Sequence, residues 1–164
     1  ANLISKNIEK IKGPAYIRLD KGNLEYNYKV NYNIEKGFAL IHSANNKKIL
    51  IITTGYFCKL AKNVSYSFQN VSVLNLFKFK NFDKKKFLKT VKKYKKIIIY
   101  DENSKYGGIV SILSNLFIER KVNLNIKILA SKDDQSFFYS QNRNDMLKKL
   151  KINEEKLIEI IKQL

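Results

Sequence analysis

The sequence predicts an α/β domain in which a mostly parallel sheet lies between layers of helices. From residue 37 onward, short runs of β-branched residues alternate with segments whose apolar residues recur at helical spacing. Two of these runs, Ile49–Thr54 and Ile97–Tyr100, are continuously apolar, as expected of strands covered on both faces. A chain of 164 residues can bury one such core, whereas two full domains would each be marginal.

The residues before this pattern form an arm. Apolar spacing predicts a short helix over residues 1–12, which Gly13 and Pro14 end. A strand is predicted from Ala15 to Leu19. Residues 24–32 alternate apolar and polar side chains, with tyrosines on the apolar side. This stretch is therefore expected to be extended and to pack on the domain or on a second copy, because a bare tyrosine-rich strand invites aggregation.

The first half of the domain contains three predicted strands and one helix. The strands are residues 37–44, 49–54 and 71–76, and a turn at Asn45-Asn46 joins the first two. Gly55 opens the helix. Its predicted buried stripe is Phe57, Leu60, Ala61, Val64 and Phe68, and Cys58 falls beside this stripe as a small hydrophobe.

A lysine-rich helix follows, with Asp83 as its predicted N-cap. Its inward residues are Phe87, Val91 and Tyr94. The opposite face carries Lys84, Lys85, Lys86, Lys89, Lys92, Lys93 and Lys96. Such a face is usually a solvated helix surface, and the alternative is a docking surface for an anionic partner.

The central unit of the chain is Ile97–Glu119, which reads as strand, polar loop and helix. The loop is predicted over residues 101–106, and the helix begins at Gly107. The apolar stripe of this helix is Ile109, Ile112, Leu113 and Leu116. Gly107 and Gly108 allow backbone to approach backbone, or a ligand, where a Cβ would clash.

A fifth strand, Leu124–Ala130, precedes an irregular stretch over residues 131–141 and two short helices. Asn153 is the predicted N-cap of the last helix, and Glu154 and Glu155 lie in its first turn. The apolar stripe of this helix is Leu157, Ile160, Ile161 and Leu164.

Composition excludes several classes of protein. One cysteine, Cys58, and one histidine, His42, cannot supply a disulfide framework, an ordinary zinc site or a Cys-His catalytic pair. No stretch approaches the roughly 18 apolar residues of a membrane span, and the first residues lack the apolar core of a signal peptide. The protein is therefore expected to be cytoplasmic and not to contact a membrane.

The net charge of +18 invites a nucleic-acid interpretation, because clustered cations release counterions from phosphate backbones. However, only Arg18, Arg120 and Arg143 among the 32 basic residues are arginines. Base and phosphate recognition usually favours the bidentate fork of arginine. Specific nucleic-acid binding is therefore not expected.

Two acidic pairs stand at predicted carboxyl ends of strands, where open α/β sheets bind ligands. These pairs are Asp101-Glu102 and Asp133-Asp134, which come close together if the fourth and fifth strands are neighbours. Clustered carboxylates can hold Mg²⁺ or shift each other's pKa, although surface acids also simply offset nearby lysines. The candidate ligand or interface residues are Asp101, Glu102, Asn103, Gly107, Gly108, Asp133 and Asp134. No residue is assigned as catalytic, cofactor-binding or metal-ligating, because GxGxxG, GxxxxGK[ST] and GxSxG motifs are all absent.

Six segments in order resemble the C-terminal part of transketolase-family proteins. That family includes transketolases, deoxyxylulose-phosphate synthases and the beta subunits of 2-oxoacid dehydrogenases. The segments are GPAYIRLDKG, Gly37-Phe38-Ala39 entering a strand, ILIITTG, VSVLNL with NFD shortly after, IIIYDENSKYGG, and RNDMLKKLKINEEKLIEII.

The resemblance implies a three-layer α/β/α sandwich with a five-stranded mixed sheet, one edge strand of which is antiparallel. Residues 34–164 would be this C-terminal domain, and residues 1–33 the tail of the pyrimidine-binding domain with a linker arm. Relatives bind thiamine diphosphate and Mg²⁺ in two upstream domains, whose GDG…NN signature is absent here. The chain would then be inert alone and would serve a homodimeric enzyme that transfers two-carbon ketol units between sugar phosphates. The upstream domains would lie on the same polypeptide or on a separate subunit.

Two positions depart from the family pattern. Many relatives have Arg-Gly where this chain has Lys21-Gly22, a position that can help hold the phosphate of the substrate. Lysine supplies the charge without the bidentate fork. Relatives have Glu-Glu-His where this chain has Asp101-Glu102-Asn103, so a titratable group is replaced by an amide.

Two alternatives remain open. The first is a 2-oxoacid dehydrogenase beta-type subunit, in which the domain docks an acyltransferase core. The second is a basic nucleic-acid-binding module that uses the lysine-rich segment 83–96.

Overall fold

The structure is a computed structural model that describes residues 7–8, 12–20, 32–132 and 142–164. The predictions for most of the arm and for Lys21, Asp133 and Asp134 lie outside the described residues.

Five strands form one mixed sheet in the order β1-β3-β2-β4-β5. Strand β1 pairs antiparallel with β3, and the other pairings are parallel. The strands are β1 (Phe38–His42), β2 (Ile49–Thr53), β3 (Val71–Leu76), β4 (Lys96–Ser104) and β5 (Asn125–Ser131). The prediction of a five-stranded mixed sheet with one antiparallel edge strand is confirmed.

The helices of the domain lie in two layers, one on each face of the sheet. They are α1 (Phe57–Ser65), α2 (Lys84–Val91), α3 (Ile109–Glu119), α4 (Arg143–Lys149) and α5 (Glu154–Lys162). Helices α2 and α3 pack on one face with Leu50 and Ile52 of β2. Helices α1, α4 and α5 pack on the other face with Ile49 and Ile51. The continuously apolar strands are therefore buried on both sides, as the three-layer prediction requires.

The connections place α1 and α3 on opposite faces. The chain moves from β2 through α1 to β3 in one direction along the sheet. It then moves in the other direction, from β3 over β2 to β4 and on through α3 to β5. Because crossovers between parallel strands are right-handed, a reversal of direction moves the connecting helix to the other face. The loops that leave the neighbouring strands β2 and β4 therefore diverge.

Several predicted boundaries were wrong. Residues 15–19 form no strand, because no described strand pairs with them. Helix α2 ends at Val91, and Lys96 begins β4 instead of lying on the lysine face. Tyr94 lies beyond the helix but is still buried. Phe68 follows the end of α1 and is only partly buried against the core.

Strand β4 is longer than predicted. It runs through Asp101 to Ser104, so the predicted loop over residues 101–106 was wrong for its first four positions. The pairing with β5 is irregular here: Tyr100 pairs with Leu129, whereas the next paired residue, Ser104, pairs with Ser131. Residues 101–103 therefore form a bulge on β4. Bulges of this kind redirect side chains at the end of a strand.

Both predicted N-caps are confirmed. The Asp83 carboxylate accepts a hydrogen bond from the Lys86 backbone N–H at 2.9 Å, and this bond lowers the pKa of Asp83. Asn153 accepts from the Lys156 N–H at 3.4 Å. Cys58 is completely buried, and burial raises the pKa of its thiol, so it remains an unreactive hydrophobe. None of the helices in the described ranges is long and apolar enough to cross a membrane.

Tyr100 joins β4 to the last helical pair. Its hydroxyl donates a hydrogen bond to the carbonyl of Ile152 at 2.7 Å, in the connection between α4 and α5. Both residues are buried. Burial raises the pKa of this hydroxyl, so it keeps its proton and remains a donor.

We expect Tyr100→Phe to lower the free energy of unfolding by about 1–3 kcal/mol, because the Ile152 carbonyl would be left buried without a partner. Urea denaturation measures this loss. Tyr106→Phe is the matched control, since the Tyr106 ring is exposed, and it should change stability by less than about 0.5 kcal/mol. Equal effects from the two substitutions would contradict the role given to Tyr100.

Candidate functional site

The candidate site lies at the carboxyl edge of the sheet, between β2 and β4. The loops after these two neighbouring strands lead to helices on opposite faces, α1 and α3, and such a divergence leaves a crevice in which open α/β sheets bind ligands. Tyr56 stands at the β2 side of the crevice and Asp101-Glu102-Asn103 at the β4 side. Strands β4 and β5 are neighbours. This is the condition under which the acidic pairs Asp101-Glu102 and Asp133-Asp134 were predicted to lie close together.

Asp101 is completely buried and is committed to the local backbone. One of its carboxylate oxygens, Oδ2, accepts a hydrogen bond from the N–H of Ile109 at 3.0 Å, at the first residue of α3. The other, Oδ1, accepts from the backbone N–H and the side-chain amide of Asn103 at 3.1 and 2.9 Å. A buried carboxylate needs such partners, and these satisfy both oxygens. Asp101 therefore fixes the bulge of β4 and the start of α3 together.

The two glycines have different roles at this junction. Gly107 has a φ of 87°, in the left-handed region that favours glycine. Gly108 has an ordinary φ of −86°, but a Cβ there would overlap the Oδ2 atom of Asp101 and stand 3.2 Å from the carbonyl oxygen of Ser104. The approach of α3 to the Asp101 carboxylate therefore depends on glycine at position 108.

A cluster of two arginines and two acids covers the crevice, and we call Arg18, Asp20, Glu102 and Arg143 the arginine cluster. Arg143 donates to Asp20 at 2.8 Å and to Glu102 at 2.5 Å. Arg18 donates to the other oxygen of Glu102 at 3.3 Å and to the side chain of Asn103 at 3.0 Å. Through these contacts Arg18 and Asp20 tether residues 12–20, which we call the docked segment, to the carboxyl edge.

Arg143 is the hub of this cluster. Its guanidinium lies 4.0 Å from the centre of the Tyr56 ring, so it contacts the β2 loop, β4 and the docked segment from the start of α4. Partial burial lowers the pKa of Arg143, but the hydrogen bonds that Arg143 donates to Glu102 and Asp20 outweigh this effect and raise the pKa above its ordinary value. The side chains of Asp20, Glu102 and Arg143 are 20%, 25% and 35% exposed, whereas that of Arg18 is 60% exposed. The Arg143 contacts are therefore less screened by solvent than the Arg18 contact.

The structure brings most of the predicted candidate residues to one place. Asp101, Glu102, Asn103, Gly107 and Gly108 all lie at the β4–α3 junction. Asp101 is buried and binds the first N–H of α3, whereas Glu102 and Asn103 reach outward to the arginines. Asp133, Asp134 and Lys21 lie outside the described residues, so their proposed roles stay predictions.

Sequence reasoning did not single out Arg18, Asp20, Arg143 or Tyr56. One signal could have identified the arginines. In a chain whose basic residues are nearly all lysines, an arginine indicates a position where a bidentate fork is needed. Two of the three arginines, Arg18 and Arg143, are in the cluster.

The carboxylates at this edge do not fit the Mg²⁺ that the family resemblance implies, together with thiamine diphosphate, for the full enzyme. Asp101 binds backbone N–H groups, and Glu102 and Asp20 bind arginines, so none is free to coordinate Mg²⁺. Within the described ranges, no group of three His, Cys, Asp or Glu side chains could hold a metal ion. The described carboxylates at this edge therefore provide no donor set for Mg²⁺.

Comparison with known proteins agrees with this architecture. The family model described as "Transketolase, C-terminal domain" matches residues 37–157. A 1-deoxy-D-xylulose-5-phosphate synthase from Alkaliphilus oremlandii (strain OhILAs) is 24% identical over an alignment 161 residues long, which covers 94% of this chain and 25% of that protein. The chain thus spans about a quarter of the length of this relative.

Solved structures show the same fold. A split-gene transketolase, described as an inactive β4 tetramer, has a TM-score of 0.82 and 16% identity over 98% of this chain and 52% of its own. The transketolase of Leishmania mexicana has a TM-score of 0.59 and 13% identity over 80% of this chain and 18% of its own. This chain belongs to the transketolase C-terminal domain family.

We expect Gly108→Ala to lower the free energy of unfolding by about 1–3 kcal/mol, because the added methyl would push α3 away from Asp101. Urea denaturation measures this change. Asn115→Ala, at an exposed position of the same helix, is the control and should be neutral or slightly stabilising. If the collision is with Asp101, the cost of Gly108→Ala becomes smaller in an Asp101→Ala background. A cost that does not change there would contradict this explanation.

Proposed function

We propose that this chain is the C-terminal domain of a transketolase-like, thiamine-diphosphate-dependent enzyme that transfers two-carbon ketol units between sugar phosphates. Its role is structural: it holds the segment that connects it to the thiamine-binding part of the enzyme. Thiamine diphosphate and Mg²⁺ belong to the other domains, on the same polypeptide or on a separate subunit. The assembled enzyme is a cytoplasmic homodimer, and this chain alone is inert.

The observation that carries this proposal is that the docked segment occupies the crevice between β2 and β4. Where an independent α/β domain would bind a small molecule, this chain binds its own docked segment through Arg18, Asp20, Glu102 and Arg143. The crevice therefore serves as a contact between parts of a protein. This agrees with relatives of which this chain covers only a part.

The named relatives favour sugar-phosphate chemistry over the 2-oxoacid dehydrogenase branch. They are transketolases and a synthase whose product is a sugar phosphate. The other alternative is a nucleic-acid-binding module that uses the lysine-rich helix α2. The lysines of α2 are exposed, but none of the three arginines lies on that helix. A specific nucleic-acid interface is therefore not favoured.

An activity assay tests the proposal. The isolated chain, mixed with thiamine diphosphate, Mg²⁺, a ketose phosphate donor and an aldose phosphate acceptor, should show no turnover and no cofactor binding by calorimetry. The full enzyme, or this chain with its thiamine-binding subunit, should transfer ketol units. Cofactor binding by the isolated chain would contradict the proposal. So would a full enzyme that acts on 2-oxoacids and not on ketose phosphates.

We also propose that Lys21 supplies positive charge to the phosphate of the substrate, as its position after Asp20 in the GPAYIRLDKG segment suggests. Loss of a charge-assisted hydrogen bond typically costs enough to raise KM by roughly tenfold. Lys21→Met in the full enzyme should therefore raise KM for the sugar phosphate, with little change in kcat. Lys127→Met, at an exposed position of β5, is the control. An unchanged KM would show that Lys21 does not contact the phosphate.

A further inference from the structure

A cavity of about 220 Å³ opens where the loop after β3 and the start of α2 meet α3. Its floor is apolar, because Phe82 and Leu116 are buried and Ile112 is partly buried against the core. Phe79 forms part of the wall and is 42% exposed. A cavity of roughly 150 Å³ is large enough to hold benzene. This cavity therefore has room for one apolar side chain of a partner.

The rim of the cavity is polar and mostly cationic. Lys80 and Lys84 line it from the loop and from α2, and Asn115 and Glu119 line it from α3. All four residues are exposed, and within the described part of the chain none of their side chains forms a hydrogen bond or an ion pair. Two cations thus stand over an apolar floor against one carboxylate. This arrangement fits a ligand that has one apolar group with anionic groups beside it.

The cations continue along α2. We call Lys80 and the lysines of α2 the lysine surface, which consists of Lys80, Lys84, Lys85, Lys86 and Lys89. Only Lys86 among them forms an ion pair with a described residue, which is Asp83 at 3.1 Å. Three of the lysines fill the first turn of α2, where the helix dipole favours acidic side chains. Lys85 and Lys89 are four positions apart, a spacing at which like charges in a helix repel each other. An anionic partner relieves this repulsion when it binds.

The shape of the surface indicates which anionic partner fits. Single-stranded nucleic acid is usually held by several aromatic side chains on which successive bases stack, whereas Phe79 is the one exposed aromatic residue beside this cavity. A membrane surface is usually bound by a broad apolar face, whereas the apolar part here is recessed between two elements. A peptide with acidic residues around one apolar residue meets both the cavity and the lysines.

We propose that the lysine surface and this cavity bind an acidic, extended segment of a separate protein, with one apolar side chain of that segment in the cavity. The 164 residues of this chain contain no more than two consecutive acidic residues, so they supply no such segment themselves. Glu119 repels acidic residues at the α3 side of the cavity, so the acidic residues of the partner lie along α2. This inference does not depend on the proposed function.

Fluorescence anisotropy with two labelled octapeptides tests the proposal. One peptide consists of glutamates with a single leucine in the middle, and the other has glycine in place of the leucine. At about 0.15 M salt, where distant surface charges are screened, the leucine peptide should bind this chain about tenfold more tightly. The reason is that burial of the leucine side chain adds to the contacts of the carboxylates. Both affinities should fall as the salt concentration rises.

Variants separate the cavity from the lysines. Asn115→Trp should reduce the advantage of the leucine peptide to less than about twofold, because the indole occupies the cavity. Ile118→Trp, at a position of the same helix that is 76% exposed, is the control and should keep the advantage.

Lys80→Glu/Lys84→Glu should weaken the binding of both peptides at least about tenfold, because two attractive contacts become repulsive. Lys105→Glu/Lys127→Glu makes the same change in net charge at exposed positions outside the lysine surface, and its effect should be about twofold. Each variant should unfold within about 2 °C of the Tm of the original chain.

Four results would overturn the proposal. The first is equal affinity for the two peptides, and the second is an Asn115→Trp variant that keeps the preference for leucine. The third is tighter binding of a uridine oligonucleotide, or of vesicles that contain phosphatidylserine, which Lys80→Glu/Lys84→Glu abolishes, because the partner is then a nucleic acid or a membrane. The fourth is a full enzyme that does not bind the leucine peptide although the isolated chain does, because another part of the enzyme then covers the surface. None of these results measures ketol transfer, so the proposed function is decided separately by its own assay.

Discussion

A carboxylate buried at the end of β4 determines the geometry of the carboxyl edge. Asp101 can be buried only because three N–H groups satisfy its oxygens, and those groups belong to Asn103 and to the first turn of α3. Gly108 is required because α3 then begins in contact with the carboxylate. With Asp101 held inward, the bulge turns Glu102 and Asn103 outward, where the two arginines meet them. The arrangement of the β4 side of the crevice thus follows from one buried carboxyl group.

The core of the fold could be predicted from the sequence because its strands are covered on both faces, which leaves continuous apolar runs such as Ile97–Tyr100. The extension of β4 could not. Asp101 to Ser104 have the composition of a loop, and only their pairing with β5 and the hydrogen bonds of Asp101 keep them in the strand. Residues 15–19 show the opposite case. Their local preference favours a strand, but a strand needs a neighbour, and no described strand provides one.

The site was predicted in part, for a similar reason. The β4–α3 junction was recognisable because its acids and glycines are contiguous in sequence. The arginine cluster was not, because Arg143 and Asp20 lie 123 positions apart and no local pattern joins them. The scarcity of arginine was the one available signal. It indicates positions where a bidentate guanidinium is needed, but it does not indicate which residues the guanidinium contacts. The fourth and fifth strands are neighbours, but the placement of Asp133 and Asp134 beside Glu102 stays a prediction.

Because of the contacts of the docked segment, the folded body of this domain begins earlier in the chain than the region that the family model matches. Sequence families place the start of the domain at residue 37, after the segment. The ion pairs place Arg18 and Asp20 within the same folded body as Glu102 and Arg143. A fragment that begins at residue 37 and keeps the C-terminal end would retain all five strands and α1 to α5, but it would leave the crevice open and Arg143 with one carboxylate partner in place of two. The smallest piece that preserves the edge is therefore larger than the piece that preserves the fold.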